Sequence, residues 1–143
     1  EADIPNFSDY SAELSRDARG LRVWLPIMLH GLGAFREALN EKLDLARYAY
    51  EALSRVPSLE VPWEPELSIV AFRVRVGDEQ ASDAATADLL QRINATRRFV
   101  LSSTVADGRF TIRIAVLSFR THRDRIEELI DTIIRLAPSR PDE

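Results

Sequence analysis

The stretch Phe99–Asp124, FVLSSTVADGRFTIRIAVLSFRTHRD, decides the fold. Asp107-Gly108 predicts a two-residue hairpin turn, because a type I′ turn needs positive φ at both central positions and this pair tolerates it. Counting back from the turn, Ala106 opposes Arg109, Thr104 faces Thr111 and Ser102 faces Arg113. Side chains alternate along a strand, so Ser102, Thr104, Thr111 and Arg113 share one face. The other face carries Phe99, Leu101, Val105, Phe110, Ile112, Ile114 and Val116 and is the expected core. Beyond the hairpin, Thr121 is the expected cap of a last helix, with Asp124 as a short-armed capping-box partner. Its expected buried stripe is Ile126, Leu129, Ile130, Ile133 and Ile134.

Upstream, Val70, Phe72, Val74 and Val76 alternate with Ala71, Arg73 and Arg75, which predicts another strand, broken by Gly77-Asp78. Ser82 or Asp83 is expected to cap a helix running through Asn94, with Leu89, Leu90 and Ile93 inward. Residues 32–55 predict a long amphipathic helix. Phe35, Leu39, Leu43, Ala46, Tyr50 and Leu53 form its apolar side, and Pro57 stops it. The apolar run 21–29 has apolar residues on every face, a pattern shared by a strand and a short helix; of the two, a short buried helix ending at Gly31 is the expected one. Residues 1–17 read as an arm or linker, 18–137 as one α+β domain, and 138–143 as a frayed tail. Helices gathered on one face of a short antiparallel sheet are the expected architecture.

A chain of 143 residues suits one domain with a real core. It has no cysteine, which excludes disulfides and thiolate chemistry and suits a cytoplasmic protein. With 19 basic and 23 acidic residues it shows no excess of positive charge for nucleic acid. Val23–Leu29, its longest apolar stretch, is too short to span a membrane. The start, Glu1-Ala2-Asp3, reads like that of an excised segment. Of the basic residues only Lys42 is a lysine. Flanked by Glu41 and Asp44, it is expected on a solvated face, in surroundings that oppose the lowered pKa a Schiff-base lysine needs.

The polar stripe has two readings: a solvated sheet surface, or the wall of a cleft in which Arg113 meets a carboxylate through two parallel charge-assisted bonds. His122 is expected to be solvated, and His30 packed or end-capping. Neither has metal-ligand spacing to another histidine. No complete catalytic constellation is visible.

Four segments together resemble one family: ELSRDARGLRVWLPIMLHG at Glu13–Gly31, EKLDLARY at Glu41–Tyr48, DLLQRIN at Asp88–Asn94, and Phe99–Asp124. They are similar, in order, to the C-terminal part of the pyridoxal-phosphate-dependent group II amino-acid decarboxylases, which include the aromatic-amino-acid, histidine and tyrosine decarboxylases. The resemblance implies a dimeric fold-type-I lyase, of which this chain is the small C-terminal domain. It implies pyridoxal 5′-phosphate as cofactor and an aromatic or related L-amino acid as substrate. The family's cofactor-anchoring lysine lies upstream of the matched region, and Lys42 does not correspond to it. This chain alone is therefore expected to be inactive and to bind no cofactor. The resemblance places Arg113 near the active site, holding either a carboxylate or a structural ion pair, for which Asp9 is the candidate partner. It brings Ser15 towards the substrate pocket and Arg16 and Arg19 into a basic cluster at the same turn. The alternative is a non-enzymatic α+β module for small-molecule or protein binding.

Overall fold

A computed structural model of the chain describes residues 17–138. Asp9, Ser15 and Arg16 lie outside the described residues, as do most of the expected arm and tail. The chain divides into two compact units, Glu1–Arg36 and Glu37–Glu143.

Helix α1 (Leu21–Ser54) begins in the first unit. It is broken at Gly31, whose φ of 80° and ψ of 160° leave the helical region. Only glycine occupies that region readily. The expected boundary between a short helix and a long one therefore falls where the glycine stands. The expected burial of the short helix does not hold. Leu21, Val23, Trp24, Leu25, Met28 and Leu29 are 48–69% exposed. An apolar run that covers the whole helix circumference carries no period from which a covered face could be read. His30 is exposed rather than packed.

The second unit is a four-stranded antiparallel sheet of order β1-β2-β4-β3. Its strands are β1 (Leu59–Glu60), β2 (Ile69–Val74), β3 (Ser102–Ala106) and β4 (Arg109–Ala115), and its other helices are α2 (Glu79–Ala95) and α3 (Arg123–Leu136). The core joins Leu45, Ala46, Ala49 and Leu53 of α1 to Val70, Phe72, Ile112 and Ile114 of the sheet, Leu89 and Ile93 of α2, and Ile126, Leu129, Ile130 and Ile133 of α3. The two-residue strand β1 is too short to leave a period in the sequence.

The hairpin forms as expected. Asp107 and Gly108 have φ of 50° and 77°, and Ser102 pairs with Arg113, Thr104 with Thr111 and Ala106 with Arg109. Val105 is 66% exposed instead of buried. It sits at the turn end of the edge strand β3. Ile134 is also exposed, and Thr132 takes its place on the buried side of α3.

Side chains of α2 and its neighbours trim the expected strands. Residues 75 and 76 leave β2, the Arg75 N–H donating to the Ser58 carbonyl at 2.9 Å and the Val76 N–H to Ser82 Oγ of α2 at 3.1 Å, while the Val74 N–H at the strand's end donates to Thr86 Oγ1 at 3.0 Å. Residues 99–101 are not strand, because Asn94 occupies the Leu101 backbone through bonds of 2.8 and 3.1 Å. Ser82 is thus committed to the Val76 backbone beyond β2 and Asp83 to Arg73, so neither caps α2. Asp78 is the cap, accepting from the Ala81 N–H at 2.8 Å. The cap of α3 is His122, one residue beyond the expected Thr121, and it makes no side-chain capping bond.

Lys42 overturns its expected place. It is 6% exposed, in line with Leu45, Ala46, Ala49 and Leu53 at helical spacing, while Leu39 and Leu43 of the expected stripe are exposed. Its Nζ donates to the Thr121 carbonyl at 2.6 Å and to Glu41 Oε2 at 2.7 Å. The other Glu41 oxygen lies 2.7 Å from His122 Nδ1. Together these bonds hold the Glu41 carboxyl below the usual carboxylate range, the Lys42 bond contributing most.

Candidate functional site

Arg113 stands in the middle of β4, between Ala71 of β2 and Ser102 of β3. Alternation puts its side chain on the sheet face away from Ile112 and Ile114. It is half-buried, and its Nη2 donates to Ser102 Oγ at 3.2 Å. Its Nε is buried and has no hydrogen-bond partner. Among the described residues no carboxylate lies within ion-pair distance of it. A buried guanidinium nitrogen left unpaired is costly, and an incoming carboxylate would remove that cost.

The same face continues into a second arginine that the sequence reading passed over. Arg73 is only 2% exposed, with Nη1 at 2.7 Å from Glu79 and Nη2 at 2.9 Å from Asp83. The hydrogen bond from Arg73 is the main cause holding the Glu79 carboxyl below its usual range. Asp83 Oδ1 also accepts from the Phe110 N–H at 3.0 Å, so one carboxylate ties α2 to both β2 and β4. The signal available in the sequence was the acidic pair Glu79 and Asp83, one helical turn apart, following a cation at an alternating position. Thr111, expected on an open stripe, is 1% exposed, and its hydroxyl donates to the Arg109 carbonyl.

A cleft of about 240 Å³ opens beside Arg113. Ser102, Phe99, Leu101, Thr121 and Arg125 are among its lining residues; Thr104 is not. Arg125 is already committed. It lies 5.0 Å over the Phe99 ring and donates to Glu128 at 2.6 Å and to the Arg98 carbonyl at 3.0 Å. That leaves Arg113 as the cation with donors to spare in a largely apolar recess, the mixture that binds a small organic acid. The structure therefore brings Arg113 and Ser102 together and leaves Thr104 two residues along the strand. Arg19 belongs to the first unit and the residues that line the cleft to the second. Among the described residues no group of three or more histidine, aspartate or glutamate side chains is placed to hold a metal. No described helix is long and apolar enough to cross a membrane.

No family model matches this chain. Curated proteins do. Tyrosine decarboxylase 2 of Arabidopsis thaliana is 29% identical over 127 residues, covering 87% of this chain and 23% of the relative. Aromatic-L-amino-acid decarboxylase of Bacillus atrophaeus is 31% identical over 140 residues, covering 92% of this chain and 28% of the relative. The chain resembles the C-terminal domain of the group II amino-acid decarboxylases in sequence and in fold. It spans roughly a quarter of the length of the curated relatives it matches. Among solved structures, Oryza sativa TDC with PLP and tryptamine superposes with a TM-score of 0.81 at 24% identity, covering 95% of this chain and 31% of that one. Rhodiola rosea 4-hydroxyphenylacetaldehyde synthase superposes with a TM-score of 0.83 at 21% identity, covering 95% and 30%. These superpositions show a shared fold of helices on an antiparallel sheet.

Proposed function

We propose that this chain is the C-terminal part of a pyridoxal-phosphate-dependent decarboxylase of an aromatic L-amino acid, and that it supplies one wall of the substrate cleft. The observation that carries the reading is Arg113: a guanidinium with a buried, unpartnered Nε, steadied by Ser102 at an apolar recess. Arg113 receives the substrate carboxylate and fixes its orientation. Phe99 and Leu101 exclude water around it, which strengthens the charge-assisted bonds. Thr104 extends the polar rim of the wall. A competing role for Arg113, an ion pair with Asp9, would occupy the fork that the cleft leaves open.

The cofactor, when bound, supplies the electron sink for loss of carbon dioxide. This chain's residues do not fit its anchoring. The only lysine is buried, and its amine is committed to Glu41 and a carbonyl. The anchoring amine therefore belongs to another part of the protein, and residues 1–143 alone are inactive. The full protein is a cytoplasmic homodimer, with residues 1–17 as an arm, 18–137 as the domain and 138–143 as a tail.

The aromatic substrate class is supported by the relatives, which carry the names tyrosine, tryptophan and aromatic-L-amino-acid decarboxylase. They also include phenylacetaldehyde synthase of Arabidopsis thaliana, so the assay must read both products. The full protein, with cofactor absorbance verified on the same sample, is tested for carbon dioxide, amine and aldehyde from L-tyrosine, L-tryptophan and L-phenylalanine. Carbon dioxide release is expected. A cofactor-loaded protein that releases none from any of the three sinks the reading, and amino-acid binding by the isolated chain would then favour a non-enzymatic module.

A further inference from the structure

We propose that Lys42 is a positioning residue for the Arg113 cleft, acting through the turn at residues 117–122. The proposal rests on the reading of that cleft as the carboxylate-binding wall. Thr121 lines the cleft together with Arg113. Leu117, Ser118, Phe119 and Arg120 are exposed, and the turn's own bonds are local: Thr121 N–H to the Ser118 carbonyl at 3.0 Å and Arg120 N–H to Ser118 Oγ at 3.2 Å. The helix that follows starts without a side-chain cap. Among the described residues, apart from the His122 carbonyl's bonds to the Arg125 and Ile126 N–H groups of the helix it opens, the hydrogen bonds that leave this turn for another element go to Lys42 and Glu41 of α1.

The two tethers differ in kind. The Glu41–His122 contact joins side chains 39% and 60% exposed, where water competes for both partners. The Lys42–Thr121 bond is made by an ammonium 8% exposed in its side chain to a backbone carbonyl 79 residues away. A charge-assisted bond out of water is the stronger of the two. Lys42 thus pins the backbone on one side of the cleft while Ser102 steadies the guanidinium on the other. The sole lysine of the chain is spent on geometry rather than on carbonyl chemistry.

The test uses the full protein with its cofactor, the variants Lys42→Met, Lys42→Arg and Glu41→Gln, and phenylpropionate as probe, an aromatic acid without the amine that would react with the cofactor. Hydrogen exchange reads the turn and probe titration reads the cleft. Lys42→Met should accelerate exchange at residues 117–122 with the β3–β4 hairpin unchanged, weaken the probe by about tenfold, and raise KM with kcat held. Lys42→Arg should restore most of the affinity. Glu41→Gln, which keeps the amine, should weaken the probe by roughly two- to threefold and carries the test if Lys42→Met does not fold. Faster exchange with unchanged affinity overturns the proposal, and so does unchanged exchange. A wild-type protein that does not bind the probe, or an Arg113→Lys variant that binds it equally well, removes the cleft reading itself.

Discussion

Arg113 of β4 and Ser102 of β3 stand directly opposite each other, and the guanidinium Nη2 donates to the serine hydroxyl at 3.2 Å. Arginine is required there for its planar fork, which lysine does not reproduce. Arg113→Lys should weaken a carboxylate ligand by at least about tenfold, roughly 1.4 kcal/mol. Ser102→Ala, at an exposed position, should shift stability by no more than about 0.5 kcal/mol and weaken the ligand less. Titration with phenylpropionate and thermal melts on the same variants check both.

The Arg73 network predicts an asymmetry. Arg73→Met keeps most of the packing and frees two carboxylates that already reach water, with side chains 67% and 38% exposed. The double substitution Glu79→Ala/Asp83→Ala leaves a buried cation uncompensated, a cost of about 3–5 kcal/mol. Urea unfolding should rank the acidic double variant well below Arg73→Met. The reverse order would mean that the guanidinium stem, not its charge, is what the sheet needs.

Acid should weaken the fold through two glutamates. Glu41 and Glu79 both have folded-state pKa values below the ordinary glutamate value. A depressed pKa means that the unfolded chain takes up protons first as pH falls. Their contribution is therefore whole above the unfolded value of about 4.3 and is lost as pH drops from there through the folded values. Glu41→Gln should flatten the decline in urea midpoint between neutral and acid pH. An unchanged slope in that variant would remove Glu41 from the account.

The exposed apolar helix at residues 21–30 should drive association. Trp24, Met28 and Leu29 are 53%, 63% and 69% exposed, a patch that soluble monomers rarely leave uncovered. Light scattering of the isolated chain should give a dimer or larger species, and Leu29→Glu should shift it towards monomer. A monodisperse monomer at high concentration contradicts the expectation.

The hairpin and the identity of the helices were legible because local chemistry set them: Asp107-Gly108 determined the turn, and alternation determined which side chains shared a face with Arg113. Gly31 likewise announced its break. Misread features depended on partners distant in sequence. Lys42 looked solvated beside Glu41, and only a carbonyl 79 residues away explains its burial. Ser82 and Asp83 looked like caps, but the Val76 backbone claims the first and the sheet the second. Strand ends at Val74 and Ser102 were set by Thr86, Ser82 and Asn94, polar side chains whose backbone targets no period reveals. For the site, sequence gave the pairing of Arg113 with Ser102 but not the cleft beside it, which needs α3 in place.

The burial of Lys42 has a practical corollary for anyone handling the folded chain. Acylating dyes, amine-reactive crosslinkers and enzymes that conjugate to lysine would find its single side-chain amine shielded and already bonded. Labelling directed at lysine would register only unfolding, so the extent of Lys42 modification over time is a ready-made gauge of how often the turn at 117–122 lets go.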